Sequence, residues 1–279
     1  MPVAPFFRIF ARYNKPPVMN FKLKNLPERS KKPRTHGLTM VMDKGLSLRQ
    51  AEDLIESAGD QVDIVKLGFG TSAFASNVKE KVKLYQKANM SVYVGGTLFE
   101  AFYVRGQIDD YKKYIDSLGL DTVEISDGSM VLPHDKKCSV ISEFAKNYRV
   151  LSEVGSKEEG ILISPARWIK MMQTELKAGS WKVIAEARES GTVGIYRPNG
   201  QAHVMLINKI IKNVKPEDII WEAPKKPQQV YFIKQFGANV NLGNIAENEV
   251  IPLECLRIGL RGDTFFDFQP EEIKQNFKA

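Results

Sequence analysis

The chain has 279 residues, enough to bury a large core, and its 43% hydrophobic and 26% charged residues are the balance of an ordinary globular protein. That balance excludes disordered, collagen-like and low-complexity classes. No apolar run approaches the roughly 20 residues of a membrane span, so a soluble protein without a membrane partner is expected.

The formal net charge of +7 is concentrated near the start. Before residue 36, Arg8, Arg12, Lys15, Lys22, Lys24, Arg29, Lys31, Lys32 and Arg34 face Glu28 alone. Beyond that point acids and bases nearly balance, and no basic stripe is interleaved with aromatics, so no nucleic-acid partner is expected. The opening "MPVAPFFRIFARYNKPPV" carries helix-breaking prolines and no acids, and it lacks the serines and amphipathic period of a transit segment. Residues 1–33 therefore read as an N-terminal extension, either disordered or an over-long start ahead of Met19, with one domain over 34–279. The two cysteines, Cys138 and Cys255, have no metal-ligand spacing. Free thiols in a reducing cytoplasm are expected.

From residue 37 onward short apolar runs alternate with helical stretches. The runs are 38–42 (LTMVM), 63–67 (DIVKL), 91–95 (SVYVG), 122–126 (TVEIS), 149–154 (RVLSEV), 182–187 (KVIAEA), 218–223 (DIIWEA) and 238–242 (ANVNL). Continuous hydrophobicity marks parallel strands covered on both faces. Between them, "SLRQAEDLIESAG" has Ser47 as N-cap and ends at Gly59. "SPARWIKMMQTELKAG" has Ser164 as cap, Pro165 at the first helical position and Gly179 past the end, and "KPQQVYFIKQFG" repeats the device with Pro227 and Gly237. Strand–helix alternation implies right-handed βαβ crossovers. Eight units at this spacing predict an α/β fold, a single-domain (β/α)8 TIM barrel. The alternative is an open doubly wound sheet, but "LGFGTSA" is only a loose match to its glycine fingerprint.

In such barrels the chemistry sits at the carboxyl ends of the strands. Read as a ring, those ends supply Asp43 and Lys44, Lys66, Gly95 to Thr97, Glu124 and Ser126, Glu153 with Lys157 beyond it, Glu186 with Arg188, Glu222, and Asn241 with Asn244. Glutamates so close to apolar runs are costly to bury without cations. Lys44, Lys66, Lys157 and Arg188 are candidates for that role, as is Mg²⁺, which prefers oxygen ligands. The lysines and arginine also favour small anionic substrates, Arg offering a bidentate fork. "NLGN" (241–244) is a candidate phosphate-facing turn. His36, His134 and His203 fall away from strand ends and read as structural or solvated. No catalytic triad is apparent, so a lysine is the candidate for proton transfer.

The strings "PRTHGLTMVMDKGL", "DIVKLGFGTS", "SDGSM", "LSEVGSKEE", "AEARESG", "WEAPKKPQQVYFIKQFG" and "NLGNIAENEVIPLECLRIGLRGDTF" together closely resemble the phosphosulfolactate synthase family, from about Pro33 to Phe265. The resemblance implies a (β/α)8 barrel and Mg²⁺-dependent addition of sulfite to phosphoenolpyruvate, giving (2R)-2-phospho-3-sulfolactate. In methane-producing archaea that is the first step towards coenzyme M, and related bacterial proteins are tied to sulfolactate production. It further implies Lys157 as general acid, although the family's "VGKK" here reads "VGSK". Glu153, Glu186 and Glu222, with Asp43, are the metal-ligand candidates; the first three are also candidates to orient the lysine. Arg188 and Ser190 would hold phosphate or sulfite, Asn241 and Asn244 would lie near the phosphate, and Lys44 and Lys66 would offset substrate charge. Arg261 is read as structural. Barrels of this kind commonly associate, so a homo-oligomer is expected. Two other readings stay open: a different phosphoenolpyruvate or phospho-substrate lyase on the same barrel, or a non-catalytic stress-protection protein like the family's plant branch.

Overall fold

Strands covered on both faces have no polar side, and the apolar runs form them. They are β1 (Thr39–Asp43), β2 (Ile64–Leu67), β3 (Ser91–Val94), β4 (Thr122–Ile125), β5 (Arg149–Val154), β6 (Ser180–Ala185), β7 (Ile219–Glu222) and β8 (Leu242–Ile245). The structure is a computed structural model that describes residues 19–155, 163–188 and 190–278. Lys157 lies outside the described residues. Every ladder is parallel, in the order β3-β2-β1-β8-β7-β6-β5-β4, so β8 closes onto β1. β3 and β4 lie against each other at the remaining seam. The result is a nearly closed, single-domain (β/α)8 barrel, as the sequence predicts.

The surrounding helices are α1 (Leu48–Ala58), α2 (Val78–Lys87), α3 (Gly96–Tyr103), α4 (Ile108–Leu118), α5 (His134–Phe144), α6 (Pro165–Ala178), α7 (Val204–Ile211), α8 (Lys226–Phe236), α9 (Val250–Arg257) and α10 (Glu271–Phe277). Ser47 starts α1 through a reciprocal capping box with Gln50, at 3.2 and 2.9 Å. Ser164 caps α6 by accepting the Arg167 N–H at 3.3 Å, with Pro165 in the first turn.

Side chains alternate inward and outward along each strand. Val41, Val65, Val92, Val123, Val150, Val183 and Ile219 face out and pack under the helices. Met40, Ile64, Tyr93, Leu151, Ile184 and Ile220 face in and fill the barrel, with Leu38 beneath. Two residues further along the inward phase come Met42, Lys66, Glu153, Glu186 and Glu222. The apolar plug thus stops where the charges begin.

At the opposite end of the barrel, the side chains of Arg29, Lys32 and Arg34 dock against the strand starts and α9. Lys32 Nζ donates to the carbonyls of Gly59, Val62 and Ala88 at 2.7 to 2.9 Å, and Arg34 pairs with Asp63 at 3.1 Å. The eighth strand is displaced, from 238–242 to Leu242–Ile245. The carbonyls of Ala238 and Val240 accept instead from the buried Arg257 guanidinium of α9, at 2.6 and 2.7 Å. Asn241 accepts the Leu38 N–H at 3.0 Å and donates to Glu217 and Ile219 at 2.9 and 3.0 Å. Those partners begin β1 and β7, so Asn241 belongs to the barrel floor and not to the carboxyl-end ring. "NLGN" is mostly strand and not a phosphate-facing turn.

Arg29 fastens the same floor by two bonds to Glu254, at 2.9 and 3.0 Å. Burial alone would raise the Glu254 carboxyl, but Arg29, backed by Arg257 and Arg34, holds it below the ordinary value. A depressed folded-state pKa stabilises above the unfolded value and loses that stabilisation as pH falls through the folded one. Arg29→Met is therefore expected to cost about 1–2 kcal/mol in denaturant unfolding at pH 7. The cost should shrink as the pH is taken below 4.5, the ordinary glutamate value. An equal cost at both pH values would show that the Glu254 charge is not what Arg29 serves.

Candidate active site

Lys66 reaches from β2 into the middle of the barrel mouth. Its Nζ lies 3.0 Å from Glu124 of β4 and 3.6 Å from both Glu153 of β5 and Glu222 of β7. All four side chains are buried. Burial acts to lower the Lys66 pKa, yet Glu124, the Tyr93 hydroxyl, Glu153 and Glu222 together hold it well above its ordinary value. The carboxylates fare differently. Burial drives Glu222 upward, and neighbouring Glu153 and Glu124 add to it, against the pull of Lys66 and the Ala187 N–H. One ammonium cannot offset three carboxylates.

Glu153, Glu186 and Glu222 each present an oxygen, and these oxygens lie within 4.8 Å of one another. They line a pocket of about 330 Å³ with Lys66, Glu124, Arg188, Ser190 and Asn244. Its apolar wall is Met42 and Phe69, and the start of α3, Gly96 and Thr97, completes it.

Local backbone sets these groups. Gly96 N–H donates to Glu124 at 2.8 Å across the β3–β4 seam, and a Cβ on Gly96 would collide with Glu124 and Ser126. Arg188 adopts a left-handed φ of 55°, its N–H donating to Glu186 Oε1 at 2.5 Å. The Ala187 N–H donates to Glu222 Oε2 at 2.9 Å. Asn244, also at φ 55°, sits where Thr39 and Val41 of β1 face Leu242 and Ile245, so it is the extra residue of a bulge. The bulge brings its side chain to the pocket, where the buried Oδ1 has no hydrogen-bond partner among the described residues.

The structure thus brings together Lys66, Glu153, Glu186, Glu222, Arg188, Ser190 and Asn244. Asp43 is a correction. It is in the outward phase of β1, where Oδ2 pairs with Lys81 of α2 at 2.7 Å and accepts the Tyr85 hydroxyl at 3.0 Å. Its Oδ1 accepts the Gly45 and Leu46 N–H groups at 2.8 and 2.7 Å. A carboxylate so fully engaged behind the sheet does not join the three glutamates. Lys44, one residue on, is exposed and does not line the pocket. Met42 and Phe69 are additions. Met42 was legible as the inward neighbour of Met40, whereas nothing in "LGFG" singles out Phe69.

A (β/α)8 barrel whose carboxyl end buries three glutamates around one lysine, with a fourth glutamate and an arginine in the same pocket, defines a barrel enzyme with a small, carboxylate-rich pocket. The chain belongs to the (2R)-phospho-3-sulfolactate synthase (ComA) family, whose model matches residues 27–263. It is 43% identical over 244 residues to the phosphosulfolactate synthase of Methanothermobacter thermautotrophicus, covering 85% of this chain and 95% of that one. Against the phosphosulfolactate synthase of Bacillus subtilis it is 38% identical, covering 86% and 97%. A crystal structure of 3-hexulose-6-phosphate synthase shares the fold alone, with a TM-score of 0.52 and 15% identity over 78% of this chain and 99% of that one.

Removing Lys66 takes its ammonium away from three buried carboxylates. Lys66→Met is expected to cost about 3–5 kcal/mol at pH 7, read from the guanidinium midpoint, whereas Lys79→Met, at an exposed position of α2, should stay within about 0.5 kcal/mol. A small, equal effect of both would refute the central role of Lys66.

Proposed function

We propose that this protein joins sulfite to C3 of phosphoenolpyruvate to give (2R)-2-phospho-3-sulfolactate, with Mg²⁺ held by Glu153, Glu186 and Glu222. The observation that carries this reading is the convergence of those three buried carboxylates within 4.8 Å, in a chain of the synthase family.

The residues fit the ion. The described side chains lining the pocket include four carboxyl groups, Glu124, Glu153, Glu186 and Glu222, with the basic Lys66 and Arg188. Oxygen donors without His or Cys suit a hard divalent cation. Bound there, Mg²⁺ would stabilise the charge that builds on the substrate carboxylate.

This chain's own groups supply the rest. The Arg188 fork and the Ser190 hydroxyl hold phosphate or sulfite, with the Asn244 amide beside the phosphate. Lys66, kept protonated by its carboxylates, reduces repulsion between two anionic substrates. The sulfur lone pair forms the bond to C3, the C2–C3 π pair moves onto the carboxylate, and a proton delivered to C2 completes the addition. Nothing leaves, so the overall change is an addition, formally a carbon–sulfur lyase run in reverse. Lys157, which follows β5 directly in sequence, is the proposed acid. Free Cys138 and Cys255 are compatible with a reducing cytoplasm as the compartment. Among the described residues no helix is long and apolar enough to cross a membrane.

Purified protein with phosphoenolpyruvate, sulfite and Mg²⁺ is expected to yield phosphosulfolactate by mass spectrometry. Product should vanish with EDTA and fall about 100-fold or more in Lys157→Ala. Full turnover by Lys157→Ala would move the acid elsewhere and leave the reaction standing. Absence of product from folded wild-type protein would overturn the reaction; suppression of client aggregation in its place would favour the non-catalytic alternative.

A further inference from the structure

Between β6 and α7 the chain carries Arg188 and Ser190 to the pocket and returns beside the glutamates that begin the loop. Glu189 lies outside the described residues. Glu222 holds this connection at two points: its Oε2 accepts the Ala187 N–H at 2.9 Å and its carbonyl accepts the Tyr196 hydroxyl at 2.6 Å. Glu186 does the same, its Oε1 accepting the Arg188 N–H at 2.5 Å and its carbonyl the Ile195 N–H at 3.1 Å. Between these contacts Gly194, at φ 63°, passes so close to the Glu186 carbonyl that a Cβ there would collide with it. Three of the four bonds use backbone N–H groups, which any residue supplies. The fourth needs a hydroxyl, and Tyr196 delivers it from a 3% exposed side chain packed edge-on to Phe232 at 6.5 Å.

We propose that Tyr196 is a positioning residue that locks the β6–α7 connection to Glu222, so that the carboxylate cluster and the anion-facing Arg188 and Ser190 are set by one piece of backbone. The naming of the ligands rests on the function proposed above; the lock itself rests on geometry alone. Without the hydroxyl the Glu222 carbonyl loses its bond to the returning strand of the connection. That return is then held by the Ile195 bond and by the Gln228 amide of α8, which donates to the Gly191 and Gly200 carbonyls at 2.8 and 3.2 Å. The ring of a phenylalanine would still fill the space against Phe232, so packing and positioning separate in a single substitution.

The test compares Tyr196→Phe with Tyr231→Phe, which deletes a neighbouring hydroxyl on α8 that has no hydrogen-bond partner among the described residues. Hydrogen exchange of the segment spanning 187–203 is followed in substrate-free protein, with and without Mg²⁺ alone. KM for phosphoenolpyruvate and kcat are measured alongside. Loss of one buried hydrogen bond corresponds to roughly 5- to 10-fold. Tyr196→Phe is therefore expected to speed exchange at Ala187 and Ile195 and to raise KM by about that factor, with kcat within about twofold and little change in melting temperature. Tyr231→Phe should match wild type throughout. Unchanged exchange and KM in Tyr196→Phe would overturn the proposal, as would faster exchange with unchanged KM, which would make the bond merely structural. A wild type that makes no phosphosulfolactate would sink the proposed reaction, while the exchange measurement would still decide the lock.

Discussion

The ammonium of Lys66 stands among Glu124, Glu153 and Glu222 at 3.0 to 3.6 Å, and the rest of the site follows from its being outnumbered. The carboxylates have nowhere to retreat. Below them Met40, Ile64, Tyr93, Leu151, Ile184 and Ile220 fill the barrel with apolar volume, and the outward phase of every strand is sealed under helices. Burying like charges together is costly unless positive charge is brought to them. The pocket they line lies at the carboxyl end of the barrel.

Other buried charges in the molecule are settled internally, and the contrast separates scaffold from site. Asp43 is engaged by Lys81, Tyr85 and two turn amides. Lys137, fully buried on α5, donates to Asp127 at 2.8 Å and to the Glu153 carbonyl at 2.5 Å and pairs with Glu175 at 3.0 Å. Burial would lower Lys137, but Glu175 and Asp127 raise it above its ordinary value. Arg257 is spent on main-chain carbonyls of the floor. These groups hold strand ends in place, and Lys137 in particular fixes the backbone from which Glu153 projects. Within the pocket, Lys66 and Arg188 stand with four glutamates, and Glu222 is driven above its ordinary value.

Legibility in the sequence divides along the same line. Strands β1 to β7, the Ser47 and Ser164 caps and the ring of glutamates were readable because each depends on local pattern: apolar runs, cap residues, and charges at their ends. What failed depended on distant partners. The run at 238–242 looked like a strand, but Arg257, from a later helix, takes the carbonyls that a neighbouring strand would have used. The true β8 contains Gly243 and a left-handed Asn244, both of which weaken the strand signal. Asp43 was misplaced by one step of phase: Met42 faces in, so Asp43 faces out, and only the packed barrel shows which phase is inner. Tyr196 left no trace in the pattern, since its role exists only where the β6 connection meets β7.

The apolar part of the lining completes the physical picture. Met42 and Phe69 line the pocket with the glutamates, and Phe69 holds a φ of 38°, a backbone conformation that bulky residues rarely adopt. Its strain is kept by close packing: a Cβ on Gly95 would collide with the Phe69 backbone. Under the function proposed above, a lining that combines carboxylates with apolar side chains would suit a substrate that carries both charged oxygens and a methylene carbon. That combination begins with strand phase. A two-residue step along β1 from Met40 gives Met42, whereas the same step along β5, β6 and β7 from Leu151, Ile184 and Ile220 gives Glu153, Glu186 and Glu222.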